Sequence, residues 1–243
     1  MSDTVRMTAR SVVLSVLLGA HPASATAAEL LRLTTDFGIK ETALRVALTR
    51  LVAAGDLVRS VEGYGLSERL LERQRLQDVA LNPQTRSWDG NWLAVVITSI
   101  GRDARTRAAL RSGLAERRFA ELREGFWMRP DNIEVELGES LGRYTRLLTA
   151  RDEKPAELAA TLWDLAGWAR TGHELLTAMA DAQDVPSRFI VAAAMVRHLR
   201  RDPVLPPELL PADWPGTRIR SRYEEFANEL AARRDVDQEA VLR

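Results

Sequence analysis

TALRVALTRLVAAGDLVRSVEGYGLS, residues 42–67, decides the fold of the N-terminal part of the chain. Apolar residues recur at the period of a helix over about residues 40–54, and Gly55 suits the left-handed position that ends a helix. Two short apolar runs follow at 57–58 and 64–66, separated by a Glu-Gly turn. The pattern predicts a helix that leads directly into a β-hairpin.

Two further helices are predicted before this one. The first covers about residues 8–18 with Thr8 as its N-cap, and the second covers about 26–35 with Ser24 or Thr26 as its cap. The basic start, the apolar run and the Ala-Ser-Ala triplet also resemble a secretory leader. We prefer the helix, because the later apolar faces need a packing partner.

The composition is that of a globular protein. The chain has 243 residues, of which 46% are hydrophobic and 28% charged, and its formal net charge is zero. The absence of cysteine excludes disulfides, thiolate zinc sites and a cysteine nucleophile. No apolar run approaches the roughly 20 residues of a membrane-spanning helix. We therefore expect a cytoplasmic protein.

An amphipathic helix is predicted at 67–81 and a polar linker at 82–87. After them the sequence changes from helical patterns to a mixture of strand and helix patterns. Alternating strand and helix patterns predict a β-α-β-β-α-β order, which is that of a ferredoxin-like unit. The strands are placed at 92–100, 125–130, 132–137 and 146–150, and the helices at 103–119 and 139–144.

The remainder of the chain is predicted to be helical, at about 156–182, 187–201 and 223–233. The fold class is therefore α+β and mostly α. We divide the chain into an N-terminal winged helix-turn-helix domain, a linker helix and linker, a central ferredoxin-like α/β domain and a C-terminal helical domain, at 1–66, 67–87, 88–151 and 152–243.

The outward face of the helix at 40–54 carries chemistry suited to DNA. Its inward stripe is Leu44, Ala47, Leu48, Leu51 and Val52. The outward side chains include arginine, which forks onto guanine, threonine, which donates or accepts, and a valine methyl surface for thymine. With two hairpin residues that reach the adjacent backbone or minor groove, the predicted DNA-binding residues are Lys40, Thr42, Arg45, Val46, Thr49, Arg50, Arg59 and Tyr64.

The alternative is that this face of the helix is simply exposed to solvent. The net positive charge of the N-terminal segment is also low for a protein that binds phosphate groups. Residues 1–66 hold seven basic side chains against six acidic ones. DNA affinity would need charge placed locally, a dimer that doubles the contacts, or both.

An enzyme is the weaker hypothesis. The three histidines, His21, His173 and His198, show no metal-ligand spacing, and the sequence lacks a G-x-S-x-G motif and a phosphate-binding glycine loop. We expect no catalytic residues, no metal and no cofactor. A second arginine cluster within 102–123 suits a phosphate or coenzyme A site, an auxiliary DNA surface or a solvated helix face.

Several stretches resemble the PaaX-type transcriptional repressors of phenylacetate catabolism. The likeness covers nearly the whole chain, and its most specific part is RDPVLPPELLPADWPG, residues 201–216. The other stretches are TARSVVLSVLLG, FGIKETALRVALTRLVAAGDLVR, WDGNW, RDARTRAALRSGL, GFWMRP and LWDLAGWA.

The resemblance implies a three-part homodimer that binds a palindromic operator and is released by an acyl- or arylacetyl-coenzyme A thioester. The short wing and the missing glycine-rich stretch before the second helix depart from the family pattern. We expect the effector between the central and C-terminal domains, and its candidate residues are Arg102, Arg105, Trp127, Arg129, Trp163, Trp168 and His173.

The proline-rich segment 201–216 has a physical interpretation of its own. Its prolines fix φ and cannot continue a helix, so we expect a stiff strap with apolar pins, or part of the effector pocket. The chain is thus predicted to be a DNA-binding repressor of a catabolic operon. The alternatives are a coenzyme A ester-binding protein or enzyme whose winged domain binds no DNA, and a protein–protein adaptor.

Overall fold

The structure, a computed structural model, describes residues 7–99, 101 and 103–235. Within them the chain forms two compact units, one from residues of 1–82, 172–200 and 216–243 and one from 83–171 and 201–215. The helices are α1 Ala9–Leu18, α2 Ala27–Thr35, α3 Glu41–Ala53, α4 Glu68–Leu81, α5 Ala104–Glu116, α6 Gly138–Gly142, α7 Pro155–Leu162, α8 Leu165–Asp181, α9 Val185–Leu199 and α10 Gly216–Asp235. The strands are β1 Ser24–Ala25, β2 Leu57–Arg59, β3 Tyr64–Leu66, β4 Trp92–Ile97, β5 Ala120–Arg123, β6 Phe126–Pro130 and β7 Thr145–Ala150.

We call the first of these the N-terminal unit, and its framework is the predicted order of three helices and a hairpin. α1 is capped by the Thr8 hydroxyl, which accepts from the Ser11 amide, and α2 by a capping box between Thr26 and Glu29. The hairpin strands β2 and β3 pair antiparallel, and β1, which the sequence analysis missed, adds to β3 on its other side.

The later helical segments of this unit are α4, the part of α8 from residue 172, α9 and α10. α4 and α10 both pack on α9, and α10 also packs on α2. The buried Gln74 amide of α4 donates to the carbonyls of Leu17, Leu18 and Ala20 at 2.9–3.2 Å. These carbonyls lie at the C-terminal end of α1 and just after it, so Gln74 of α4 helps to cap α1 from outside.

The second, or central, unit contains a four-stranded antiparallel sheet in the order β5-β6-β4-β7. This confirms the ferredoxin-like prediction. One sheet face, with Val95 and Trp127, packs on α5 and α6, and the other, with Trp92 and Met128, packs on α7, the start of α8 and the proline-rich segment. Successive strand residues thus serve opposite cores.

The proline-rich segment is held by a buried polar network. Arg129 is fully buried and donates to the carbonyls of Pro130 and Arg117 and to the Asn132 side chain. Asn132 in turn donates to the Val204 carbonyl at 3.0 Å, and the Val204 amide donates to the Asp202 carboxylate at 2.8 Å.

These bonds fix an unfavourable backbone conformation. Val204 has a φ of +51°, a region that β-branched residues rarely adopt. Leu205 and Leu209 are buried as predicted for apolar pins, and the Trp214 ring stacks on Trp168 with the ring centroids 4.1 Å apart.

Three element predictions differ from the structure. Residues 132–137 form no strand. The sheet instead contains β5, a strand that was not predicted from the sequence. The helix predicted at 156–182 is interrupted at Trp163 and Asp164, where the Asp164 carboxylate accepts the Gly167 amide and begins α8. The last helix begins at Gly216, seven residues earlier than predicted.

Asn132→Ala should destabilise the protein, because it leaves buried Arg129 and Val204 groups without a partner. We expect a loss of about 1–3 kcal/mol in the free energy of unfolding, and a melting temperature lower by about 2–4 °C per kcal/mol. Thermal unfolding followed by circular dichroism measures this. The control is Asn228→Ala, at an exposed position of α10, and equal melting of both variants would contradict the network.

Candidate nucleic-acid interface

A tight turn sets the start of α3. The amides of Phe37 and Ile39 both donate to the Thr34 carbonyl, and Gly38 adopts a φ of +66°. The buried Thr34 hydroxyl donates back to the Leu30 carbonyl at 2.7 Å. The turn therefore joins α2 directly to α3, and its hydrogen bonds engage both the carbonyl and the hydroxyl of Thr34.

α3 is buried on one side only. Leu44, Leu48 and Leu51 are at most 2% exposed and pack toward α1, as predicted for the inward stripe. The five predicted outward residues are all exposed: Thr42, Arg45, Val46, Thr49 and Arg50. Lys40, the N-cap residue, is exposed as well. The stripe therefore faces solvent along the whole helix.

Two of these side chains make local contacts. The Arg45 guanidinium forms an exposed ion pair with Glu41 one turn earlier, and the Thr49 hydroxyl donates to the Arg45 carbonyl at 3.0 Å. In the part of the chain that the structure describes, Arg50 and Thr42 form no side-chain hydrogen bond. A ligand that binds the Arg45 guanidinium must displace the Glu41 carboxylate from it. At Arg50 a ligand has no such ion pair with a described residue to displace.

The hairpin follows α3 directly and packs closely on β1. Arg59 and Tyr64 are cross-strand partners, and the Arg59 guanidinium lies 5.9 Å from the centre of the Tyr64 ring. Gly63 has a φ of +136°, and a Cβ there would lie 2.4 Å from the Ala25 carbonyl oxygen. Only glycine fits this position, and Val61 in the loop is fully exposed.

Asp56 ties these elements together. Its side chain is 5% exposed and accepts from Arg10 of α1 at 2.6 Å and from Arg69 of α4. Its amide donates to the Leu51 carbonyl and its carbonyl accepts the Ser67 amide, both at 3.0 Å. Asp56 is not among the residues predicted from the sequence, because both of its arginine partners are distant in sequence.

The predicted effector residues do not form a single cluster. Trp127 lies on the sheet face that packs on α5, with the Arg111 guanidinium 5.6 Å from its ring, whereas Trp163 stacks near Trp92 on the opposite face. The sheet separates the two rings. The assignment of an effector to this set stays a prediction.

The remaining effector candidates have different surroundings. Arg129 is engaged in the buried network, where burial and the nearby Arg118 charge lower its pKa to about 9, so it stays charged at neutral pH. Arg105 is exposed on α5, and His173 lies 3.1 Å from the Arg218 guanidinium. Arg102 lies outside the described residues.

The described residues hold no group of three or more histidine, aspartate or glutamate side chains placed to bind a metal. Among the same residues, no helix has the length and apolar character of a membrane span.

Three family models match consecutive parts of the chain. The model for the PaaX-like protein matches residues 8–70, and the PaaX protein central Cas2-like domain matches residues 85–158. The PaaX-like protein C-terminal domain matches residues 155–236. The first of these segments contains α3, the hairpin and Asp56.

Among solved structures, the chain is similar to the uncharacterized protein Rv0674 from Mycobacterium tuberculosis. The two are 65% identical, with a TM-score of 0.87 over 95% of this chain and 99% of the other. None of the curated proteins compared with the chain matches it.

Asp56→Ala should loosen the junction of α3 and the hairpin, because two charge-assisted contacts are lost. We expect a decrease of about 1.5–3 kcal/mol in the free energy of unfolding, the range for hydrogen bonds to charged groups. Denaturant unfolding measures it, with Glu62→Ala in the exposed hairpin loop as the matched carboxylate control. A midpoint equal to that of the parent would refute the role given to Asp56.

Proposed function

The chain belongs to the PaaX family, and from this premise we propose that it is a sequence-specific DNA-binding repressor of a catabolic operon, released by a small effector. Membership of the family suggests a regulator of phenylacetate catabolism. The family consists of regulators, which favours a regulator over an enzyme. The proposal keeps the three-part division of the chain predicted from the sequence.

The observation that carries the proposal is the exposed stripe of α3. A helix packed on one side and open on the other, with two arginines, two threonines and a valine outward, offers the groups that read base edges in a major groove. We propose that α3 is the recognition helix and the β2–β3 hairpin the wing of a winged helix-turn-helix domain. Arg59, Tyr64 and Lys40 then contact the backbone or the adjacent minor groove.

A homodimer would compensate for the low local net charge by adding phosphate contacts. Two copies of α3 about 34 Å apart would enter successive major grooves of a palindromic operator. The number of phosphate contacts then doubles, and affinity falls more steeply with salt.

For release, we propose that the effector is an acyl- or arylacetyl-coenzyme A thioester. It has to bind the DNA-free conformation more tightly than the DNA-bound one, and a coupling free energy of about 1–3 kcal/mol suffices. The residues predicted from the sequence for this role are one candidate site.

A protein–protein adaptor is the second candidate, because the hairpin exposes Val58 and Val61, at 57% and 106% of their reference areas. Exposed apolar side chains of this kind also occur in protein interfaces. Binding to the DNA upstream of the chain's own gene at moderate salt would favour the repressor.

Arg45→Ala and Arg50→Ala should each weaken specific operator binding by about 5- to 150-fold, corresponding to about 1–3 kcal/mol for an arginine on a base edge. A gel shift with the upstream region measures this, against the same DNA with scrambled sequence. Arg222→Ala, an exposed arginine of α10 paired with Glu225, is the control. If both α3 variants bind like the parent, α3 is not the recognition helix.

Glu41→Gln should have the opposite effect, because it releases Arg45 and removes a negative charge beside the DNA. We expect affinity to rise by about 1.5- to 5-fold, the value of an exposed ion pair. Glu72→Gln on α4, whose carboxylate pairs with Arg75, is the matched control. Weaker binding of Glu41→Gln, measured by fluorescence anisotropy at fixed salt, would show that this carboxylate helps DNA binding.

A further inference from the structure

The N-terminal unit, which carries α3, also contains a cavity of about 790 Å³. The C-terminal ends of α1 and α4 bound it together with α9 and α10, and α2 lies at its edge. Its size is within the roughly 300–1,000 Å³ typical of small-molecule sites. None of the effector residues predicted from the sequence lines it.

Small side chains leave this space open. Ala192 and Ala193 of α9 and Ala227 and Ala231 of α10 line the cavity, and a single methyl group from each does not fill it. Leu33 of α2 adds a larger apolar wall. The interior therefore suits an apolar body.

The charged lining favours an anion. Two of its carboxylates are already engaged, since Asp78 lies 3.1 Å from the His21 ring nitrogen and Glu29 accepts the Thr26 amide at 2.6 Å. The Arg220 guanidinium donates to the Ala80 carbonyl. The charged groups that line the cavity are Glu29, Arg73, Asp78, Arg197, Arg200, Arg220 and Glu224, with His21 beside them.

Three of these guanidiniums are exposed at the cavity. Within the described residues, Arg73, Arg197 and Arg200 form no side-chain hydrogen bond or ion pair, and Glu224 is the carboxylate left to oppose them. Arg197 and Arg200 lie together at the C-terminal end of α9. Guanidinium groups bind carboxylate and phosphate in a bidentate manner.

Tyr223 adds a neutral donor to the wall. Its hydroxyl oxygen accepts from the Gln77 amide at 3.4 Å, so its own proton is available to a ligand. Burial raises the pKa of the Tyr223 phenol, which keeps that proton in place.

The cavity is connected to α3 through α10 and α2. α10 packs on α2, and Arg233 of α10 donates to Asp36, the C-cap residue of α2, at 2.9 Å. Arg188 of α9 binds Glu229 of α10 through two contacts of 2.5 and 3.1 Å. A ligand that displaces the α9–α10 pair therefore acts on the helix that precedes α3.

We propose that this cavity is the effector site, and that it takes an organic anion with an apolar body, a carboxylate or a phosphate ester. The apolar body lies among the alanines, and the anionic group binds Arg197, Arg200 and Arg73 at the opening. This inference rests on the proposed repressor function, since it names the site through which DNA is released.

The test measures ligand binding directly, by calorimetry on the full chain without DNA. The probes are phenylacetate, phenylacetyl-coenzyme A and free coenzyme A. They represent, in that order, a carboxylate with an apolar body, a phosphate ester with an apolar body and a phosphate ester without one. We expect at least one of the first two to bind, and Ala227→Leu and the double variant Arg197→Ala/Arg200→Ala to weaken it at least tenfold. The controls, Ala232→Leu for Ala227→Leu and Arg222→Ala for the arginine variant, lie at exposed positions of α10 and should bind like the parent.

A second measurement, operator affinity with and without the probe, separates this inference from the proposed function. The probe should weaken operator binding by the parent about 5- to 150-fold, and much less for Ala227→Leu. Thermal melting confirms that each variant folds, and Ala193→Leu replaces Ala227→Leu if that variant does not.

Three results would overturn the cavity proposal: no probe binds the parent, the cavity variants bind it like the parent, or only Trp163→Ala and Trp168→Ala lose it. Cavity-dependent probe binding without operator binding would instead retain the site and reject the repressor.

Discussion

The arrangement of the N-terminal unit depends on the buried carboxylate of Asp56. It is positioned where α3 ends and β2 begins, and it accepts guanidinium groups from α1 and from α4. A carboxylate at 5% exposure is costly unless it is paired, so the fold has to bring both arginines to it. The same residue's amide and carbonyl bind the last turn of α3 and the start of α4. Helix and hairpin are therefore held together, as the proposed DNA-binding surface requires.

Local patterns predicted the elements of this unit well. The 3.6-residue period of residues 40–54 and the left-handed Gly55, with a φ of +69°, define α3 and its end. The solvent-facing stripe followed from the same period, and its exposure is confirmed. Asp56 was not predictable in this way, because its partners Arg10 and Arg69 are 46 and 13 residues distant in sequence. The cavity likewise depends on helices separated by more than a hundred residues. Whether the stripe binds DNA stays a prediction.

In the central unit the sequence pattern was informative but ambiguous. Residues 132–137 alternate apolar and acidic side chains, which favours a strand. The alternation instead arises because Val135 and Leu137 pack against the α5 core while Glu134 and Glu136 face solvent. The sheet contains β5 in place of a strand at 132–137, and the β5 sequence AELR has no clear alternation. The proline-rich segment was expected to be a stiff strap, and its burial agrees, but the Arg129–Asn132 network that holds it joins residues about 70 positions apart.

The path of the chain has a consequence for biogenesis. It passes between the two compact units at residues 82–83, 171–172, 200–201 and 215–216, so each unit is assembled from separate segments. On the ribosome, α1 to α4 emerge early but wait for α9 and α10, the last described helix, before their apolar surfaces are covered. Chains interrupted during synthesis lack those helices, whatever part of α3 they already contain. Unfinished chains therefore expose apolar surface that the complete unit covers, which makes them prone to aggregation.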